Sequence, residues 1–174
     1  MIIGIGGCSN SGKSRLAQLL CEQFTDKTCT VLCQDDYVLD EDQIPNYYEH
    51  ADWEIPESID IEKYLRDLEE QKSLNDVVIC EGLFVFWFDE LDKQIDRKIY
   101  LDLNKEEFML RKAMDHRWGK EPEWYMRHIY DNHQVYGKIK HPSEEDIFIN
   151  ANTRVFDAES VYAKLNIQKL ANQS

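Results

Sequence analysis

Gly7-Cys8-Ser9-Asn10-Ser11-Gly12-Lys13-Ser14 spells G-x-x-x-x-G-K-S, the pattern of a loop that wraps phosphate groups. Before it, Met1 to Gly6 (MIIGIG) is a short apolar run that reads as a buried strand. After it, Arg15 to Phe24 places Leu16, Leu19, Leu20 and Phe24 on one face at helical spacing. Strand, glycine-rich turn and helix, in that order, are the context the pattern needs. The glycines let backbone N–H groups curl around a triphosphate, and the helix aims its positive end at the anion. Gly7, Ser9, Asn10, Ser11, Gly12, Lys13 and Ser14 are therefore the expected nucleotide-binding residues. Lys13 is placed to reach the β- and γ-phosphates, and Ser14 Oγ to ligate Mg²⁺.

Outward from the loop, strands and helices alternate, which implies an α/β fold with a parallel sheet and helices on both faces. Cys29 to Cys33 reads as a second strand, and Asp76 to Gly82 as the cleanest buried one. Arg97 to Leu103 and Asp146 to Asn150 complete five strands, ordered around a central first strand. Asp60 to Gln71 is helical, with Ile61, Tyr64, Leu65 and Leu68 on one face and Asp60 or Ser58 as its cap. Leu83 to Leu91 reads as a short helix under the site. Asn104 is a good cap for a helix from Lys105. Helices are also expected from Glu123 to about Lys140 and from Asp157 to Leu170. Gln34 to Pro56 is long for a loop, so a functional segment with some helix of its own is expected.

The bulk numbers narrow the function. The 174 residues suit a single domain spanning 1–174. Lys plus Arg is 20 and Asp plus Glu is 34, a net charge of −14. A surface this acidic repels nucleic-acid backbones and anionic membranes, so neither is an expected partner. No apolar run approaches the roughly 18 residues of a membrane span. Met1 leads straight into a strand without a basic leader, so no signal peptide is expected. The five cysteines (Cys8, Cys21, Cys29, Cys33, Cys80) form no C-x-x-C pair and read as buried free thiols of a cytoplasmic protein. Cys8 lies inside the phosphate loop, where it reads as an inert small residue or as a target of oxidation. His128 and His133 are five apart, which is not zinc-ligand spacing.

In open parallel sheets the ligand sits beyond the carboxyl ends of the strands. Gln34-Asp35-Asp36-Tyr37 follows the second strand and Glu81 ends the third. Phosphoryl transfer needs neutralised phosphates, a metal, and a carboxylate that takes the proton of the attacking hydroxyl. Asp35 is the candidate base and Glu81 the candidate metal partner. Asp35 and Asp36 also fit a solvated turn. Arg111, Lys112, His116, Arg117 and Lys120 make the one local cluster of positive charge, beside Gly119 and Pro122. That composition suits a small mobile lid over about 111–122, closing Arg111 and Arg117 on the phosphates, with Lys13 and Arg117 joining Asp35 in catalysis. Arg127 fits a solvated helix surface better. Tyr37, Tyr47, Tyr48 and Trp53 are able to stack on a flat ring or to pack internally.

Taken together, these residues resemble the uridine kinase-like family of P-loop nucleoside kinases, and within it the nicotinamide riboside kinases. The likeness is carried by Gly7 to Ser14, by Gln34 to Tyr37, by Trp53-Glu54-Ile55-Pro56-Glu57-Ser58-Ile59-Asp60, and by Cys80-Glu81-Gly82. It implies an ATP- and Mg²⁺-dependent phosphotransferase with an alcohol acceptor, the ribose 5′-hydroxyl, and with Asp35 as general base. It implies that Glu81 helps hold Mg²⁺ and that Glu54 grips the ribose hydroxyls. Family members commonly carry Asp at that last position, so Asp52 is an alternative. Asp35, Asp36, Tyr37, Trp53 and Glu54 thus make the implied acceptor site. Compared with the long base-binding insertion that the resemblance implies for uridine-cytidine kinases, the segment between Asp36 and Trp53 is reduced, which favours nicotinamide riboside, converted to nicotinamide mononucleotide in NAD biosynthesis, over uridine or cytidine. A nucleotide-binding switch without turnover is the alternative from another class; it would not need a ribose-gripping carboxylate. Either a monomer or a homodimer is compatible with the chain.

Overall fold

The computed structural model describes residues 1–117 and 119–171. Its centre is a five-stranded parallel sheet in the order β2-β5-β1-β6-β7. The strands are β1 (Ile2–Gly7), β2 (Cys29–Cys33), β5 (Val77–Gly82), β6 (Arg97–Asp102) and β7 (Ile147–Asn150). β1 is in the middle, as its wholly buried, apolar sequence demands. The other two strands, β3 (Asn46–Tyr47) and β4 (His50–Ala51), form a two-residue antiparallel hairpin inside the segment between Gln34 and Pro56.

Alternation along β1 divides the core in two. Ile3 and Ile5 face one layer, where α1 (Lys13–Cys21) contributes Leu16 and Leu20 and α4 (Lys105–Ala113) contributes Phe108. α5 (Glu123–Tyr136) and α6 (Ala158–Ala171) close the same layer through Met126, Ile129, Val161 and Leu165. Ile2 faces the other layer, with Tyr64 and Leu68 of α2 (Ile61–Leu74) and with Phe84 to Phe86. A Cβ at Gly4 would fall 2.8 Å from the Phe86 ring, so a bare backbone there lets the ring lie against the strand.

The caps behave as their residue types direct. Asp60 accepts from Lys63 N at 2.9 Å, and Asn104 accepts from Glu107 N at 2.8 Å. Three expectations need correction. Leu83 to Leu91 is not a helix: only α3 (Asp89–Asp92) is helical. The run before it is drawn into the core, and Phe84 N donates to Gln34 Oε1 at 2.8 Å instead of to a helical carbonyl. The helix expected to reach Lys140 stops at Tyr136, where Gly137 packs on the His133 ring. Cys21 and Cys29 are not free thiols but a disulfide that joins the end of α1 to the start of β2, with Cα atoms 5.7 Å apart. Only Cys8, Cys33 and Cys80 remain free, and the 21–29 contact follows from α1–β2 packing, which no local spacing reveals.

Candidate active site

β2, β5 and β1 are neighbours, so their carboxyl ends share one rim of the sheet. Glu81 is in register with Cys33 on one side and Ile5 on the other. A cleft of about 500 Å³ opens at this rim. Its walls are residues 9–15, Asp35, Leu83, Arg111, Met114, Asp115, Arg117, Arg154 and Phe156.

The floor of the cleft is the turn from β1 into α1. Gly12 caps α1 with φ 99°, and no side chain caps the helix. The first-turn N–H groups of a helix have no acceptor within it, so here they are open to an anion. A Cβ on Gly12 would lie 2.5 Å from the Phe156 ring, so glycine is required by conformation and by space alike. Lys13 is buried, and its Nζ donates to Cys8 O at 3.2 Å. Ser11 Oγ is buried with no hydrogen-bond partner among the described residues. Burial pushes the Cys8 thiol up to about 12, which disfavours the thiolate, the reactive form.

The carboxylates around the floor differ in environment. Asp35 is exposed and shares the cleft with Lys13, as strand order leads one to expect. Glu81 is buried, and its Oε1 has no hydrogen-bond partner among the described residues. The Cys33 thiol lies against Glu81 and is pushed far above its ordinary range, first by burial and then by that hydrogen bond. Among the described residues, no group of three or more His, Cys, Asp or Glu side chains is arranged to hold a metal by itself. A cation here would need the phosphates as co-ligands, together with Ser14 and the orphaned Glu81 oxygen.

The two lid arginines separate. Arg111 belongs to α4 and is buried. Its Nε donates to Glu107 Oε1 at 2.7 Å, Nη1 to Asn10 O at 3.1 Å and Nη2 to Ala151 O at 2.6 Å. These three bonds fasten the phosphate loop to the turn that follows β7. α4 runs to Ala113 and α5 begins at Glu123, so the connection between them is shorter than the 111–122 stretch expected to form a lid. Trp118, within that stretch, lies outside the described residues. Arg117 is largely exposed and donates to Asn10 Oδ1 at 3.0 Å.

A second group of side chains adjoins the cleft on the side of the hairpin. Asp52 is buried; its Oδ1 pairs with His128 Nε2 at 2.8 Å and accepts from Glu54 N at 3.1 Å. The His128 ring stacks on Tyr47 at 3.7 Å between centroids. Asp52 is thus spent on holding the turn, and Glu54 is the carboxylate left over. Burial raises the Glu54 carboxyl to about 7; Lys112 opposes this, while Glu121, Asp52 and Asp35 add to it. Lys112 Nζ is itself paired with Glu121 Oε1 at 3.0 Å.

The other loop residues scatter. Tyr37 is buried, packs edge-on against Tyr64 and donates to Asp67 at 2.9 Å, so it is a core residue and leaves the acceptor site. Asp36 is exposed and does not line the cleft. Trp53 is partly exposed beside Glu54, and Tyr48 is exposed at the hairpin tip. Sequence reasoning missed Asp115, Arg154 and Phe156 in the cleft, Glu121 near Glu54, and His128 against Asp52. Their partners lie up to 76 residues away, as for His128 and Asp52, and no local pattern marks them.

The chain is also similar to known proteins. A family model described as an AAA domain matches residues 3–122. A nicotinamide riboside kinase of Eremothecium gossypii is 35% identical over 71 residues, which span 40% of this chain and 29% of that relative. A uridine kinase of Chlamydia pneumoniae is 25% identical over 203 aligned positions, covering 99% of this chain and 89% of the relative. Among solved structures, a gluconokinase from Sinorhizobium meliloti 1021 superposes with a TM-score of 0.55 at 13% identity, covering 98% of this chain and 93% of its own. At that identity the likeness is one of fold.

Proposed function

The chain belongs to the AAA domain family, and from that premise we propose that it is an ATP-dependent ribonucleoside 5′-kinase. Nicotinamide riboside is the acceptor this reading favours, on the strength of the Eremothecium gossypii relative and of the reduced insertion between Asp36 and Trp53. The observation that carries the reading is the presence of Asp35 in the same cleft as Lys13 and the phosphate loop.

In this reading the first-turn N–H groups of α1 and Lys13 hold the triphosphate. The acceptor lies between that triphosphate and Glu54, whose ionised carboxylate takes hydrogen bonds from the ribose hydroxyls. Asp35 accepts the proton of the 5′-hydroxyl as its oxygen bonds to the γ-phosphorus and the bond to the ADP oxygen breaks. Arg117 places positive charge beside the group in transit. Ser14 Oγ and Glu81 would hold Mg²⁺, which when bound offsets phosphate charge. Arg154 and Phe156 are left to face the rest of the donor nucleotide.

Replacing Asp35 tests the assignment. Asp35→Ala should lower kcat by about a hundredfold or more, with ATP affinity within about threefold of the parent. Turnover near the parent's would remove Asp35 from the mechanism. Uridine or cytidine is the second acceptor to try, since the Chlamydia pneumoniae relative aligns over nearly the whole chain.

A further inference from the structure

Arg117 is an exposed cation of the connection between α4 and α5, yet one edge of its guanidinium is already taken. Nε donates to Asp115 Oδ1 at 2.9 Å, and Nη2 donates to Asp115 Oδ2 at 2.7 Å. The Arg117 backbone N–H also reaches Asp115 Oδ1, at 3.2 Å. An exposed arginine beside an acid two residues away is ordinarily a weak pair. This pair differs in two respects. The Asp115 side chain is only 11% exposed and forms part of the cleft wall. A further contact crosses 107 positions of the chain, from Arg117 Nη2 to Asn10 Oδ1 in the phosphate loop. Asn10 is itself held, with φ 59° and its carbonyl gripped by Arg111. One loop residue thus anchors two arginines, one buried in α4 and one beyond it.

We infer that Asp115 is a positioning residue for phosphoryl transfer: with Asn10 it docks Arg117 on the phosphate loop before the nucleotide arrives. Among the described residues Arg117 Nη1 makes no hydrogen bond, so that corner of the fork is left for the transferring group. The guanidinium is planar, and fixing its Nε–Nη2 edge fixes the direction of the rest. A swinging arginine must surrender rotamer freedom as it binds; one anchored on a carboxylate has surrendered it already. The neighbouring negative charge offsets part of the attraction for ATP. The benefit therefore belongs in kcat, where a preset charge counts most, and not in ground-state binding.

The inference rests on Arg117 acting in catalysis as proposed above, and steady-state kinetics on Asp115→Ala, Arg117→Ala and the double variant keep the two apart. Asp115→Ala should lower kcat about tenfold with the KM for ATP within about threefold. In the Arg117→Ala background the same change should alter kcat by less than about twofold, because nothing is left to position. Should Asp115→Ala not fold, the nearly isosteric Asp115→Asn takes its place, with a smaller loss and the same non-additivity expected. Parent-like kcat in the Asp115 variants while Arg117→Ala is impaired overturns the inference alone. So does an equal loss from the Asp115 change in both backgrounds. Parent-like kcat in Arg117→Ala removes the catalytic role of Arg117, and the inference falls with it.

Discussion

Glu54 and Asp52 stand two residues apart and have opposite fates. Asp52 is consumed by His128 and by the Glu54 backbone, whereas the Glu54 carboxyl is held near neutrality by burial. The sign of the pH effect follows. Because the Glu54 value is raised from 4.5 to about 7, the proton is bound below neutrality and lost above it. In stability terms the protonated form favours the fold, and that contribution fades as pH climbs between those two values. In function the ionised form is the better acceptor of ribose hydroxyls. The KM for the nucleoside should therefore fall severalfold between about pH 6 and about pH 8, and Glu54→Gln should flatten that profile. A KM that rises over this range in the parent protein would contradict the role given to Glu54. The positions of Asp35 and Glu81 were legible at this scale because Asp35 follows the end of β2 and Glu81 is the penultimate residue of β5, both apolar strands. Tyr37 was misread for the same reason: it follows a strand end, but its ring turns inward to Tyr64.

Among the elements, the β1–loop–α1 unit was legible throughout, since glycine placement, an apolar strand and a helical face all point to one structure. The β3–β4 hairpin was not, because two-residue strands have no periodicity to read. The arginine cluster looked like a lid from composition alone; whether an arginine swings or is fastened depends on contacts such as Arg111 with Ala151, which only the fold supplies. Gly12 tests the unit most directly. Gly12→Ala must take φ 99° with a side chain and displace Phe156. A left-handed residue with a Cβ costs roughly 1–2 kcal/mol. The melting temperature should therefore fall by only a few degrees, of order 2–4 °C per kcal/mol for a chain of this size. The KM for ATP should rise at least about tenfold, since the displaced groups line the donor cleft. Unchanged ATP kinetics in Gly12→Ala would separate the loop from nucleotide binding.

Over the whole molecule, the net charge of −14 and the cleft oppose one another. Lys13, Arg15, Arg111, Arg117 and Arg154 all line one opening in an otherwise acidic protein. A small polyanion is drawn to that opening at short range, while an extended polyanion meets repulsion elsewhere. Around the same rim, Asp35 lies in the cleft and Glu54 stands near it, which fits two ligands meeting over the sheet. The measurement that bears most directly on this account is nucleoside monophosphate formation from ATP across a panel of nicotinamide riboside, uridine, cytidine and purine nucleosides. The account predicts a 5′-phosphorylated product, with nicotinamide riboside used best and the product absent in Asp35→Ala. Failure of every nucleoside to yield a phosphorylated product, with ATP bound, would contradict it.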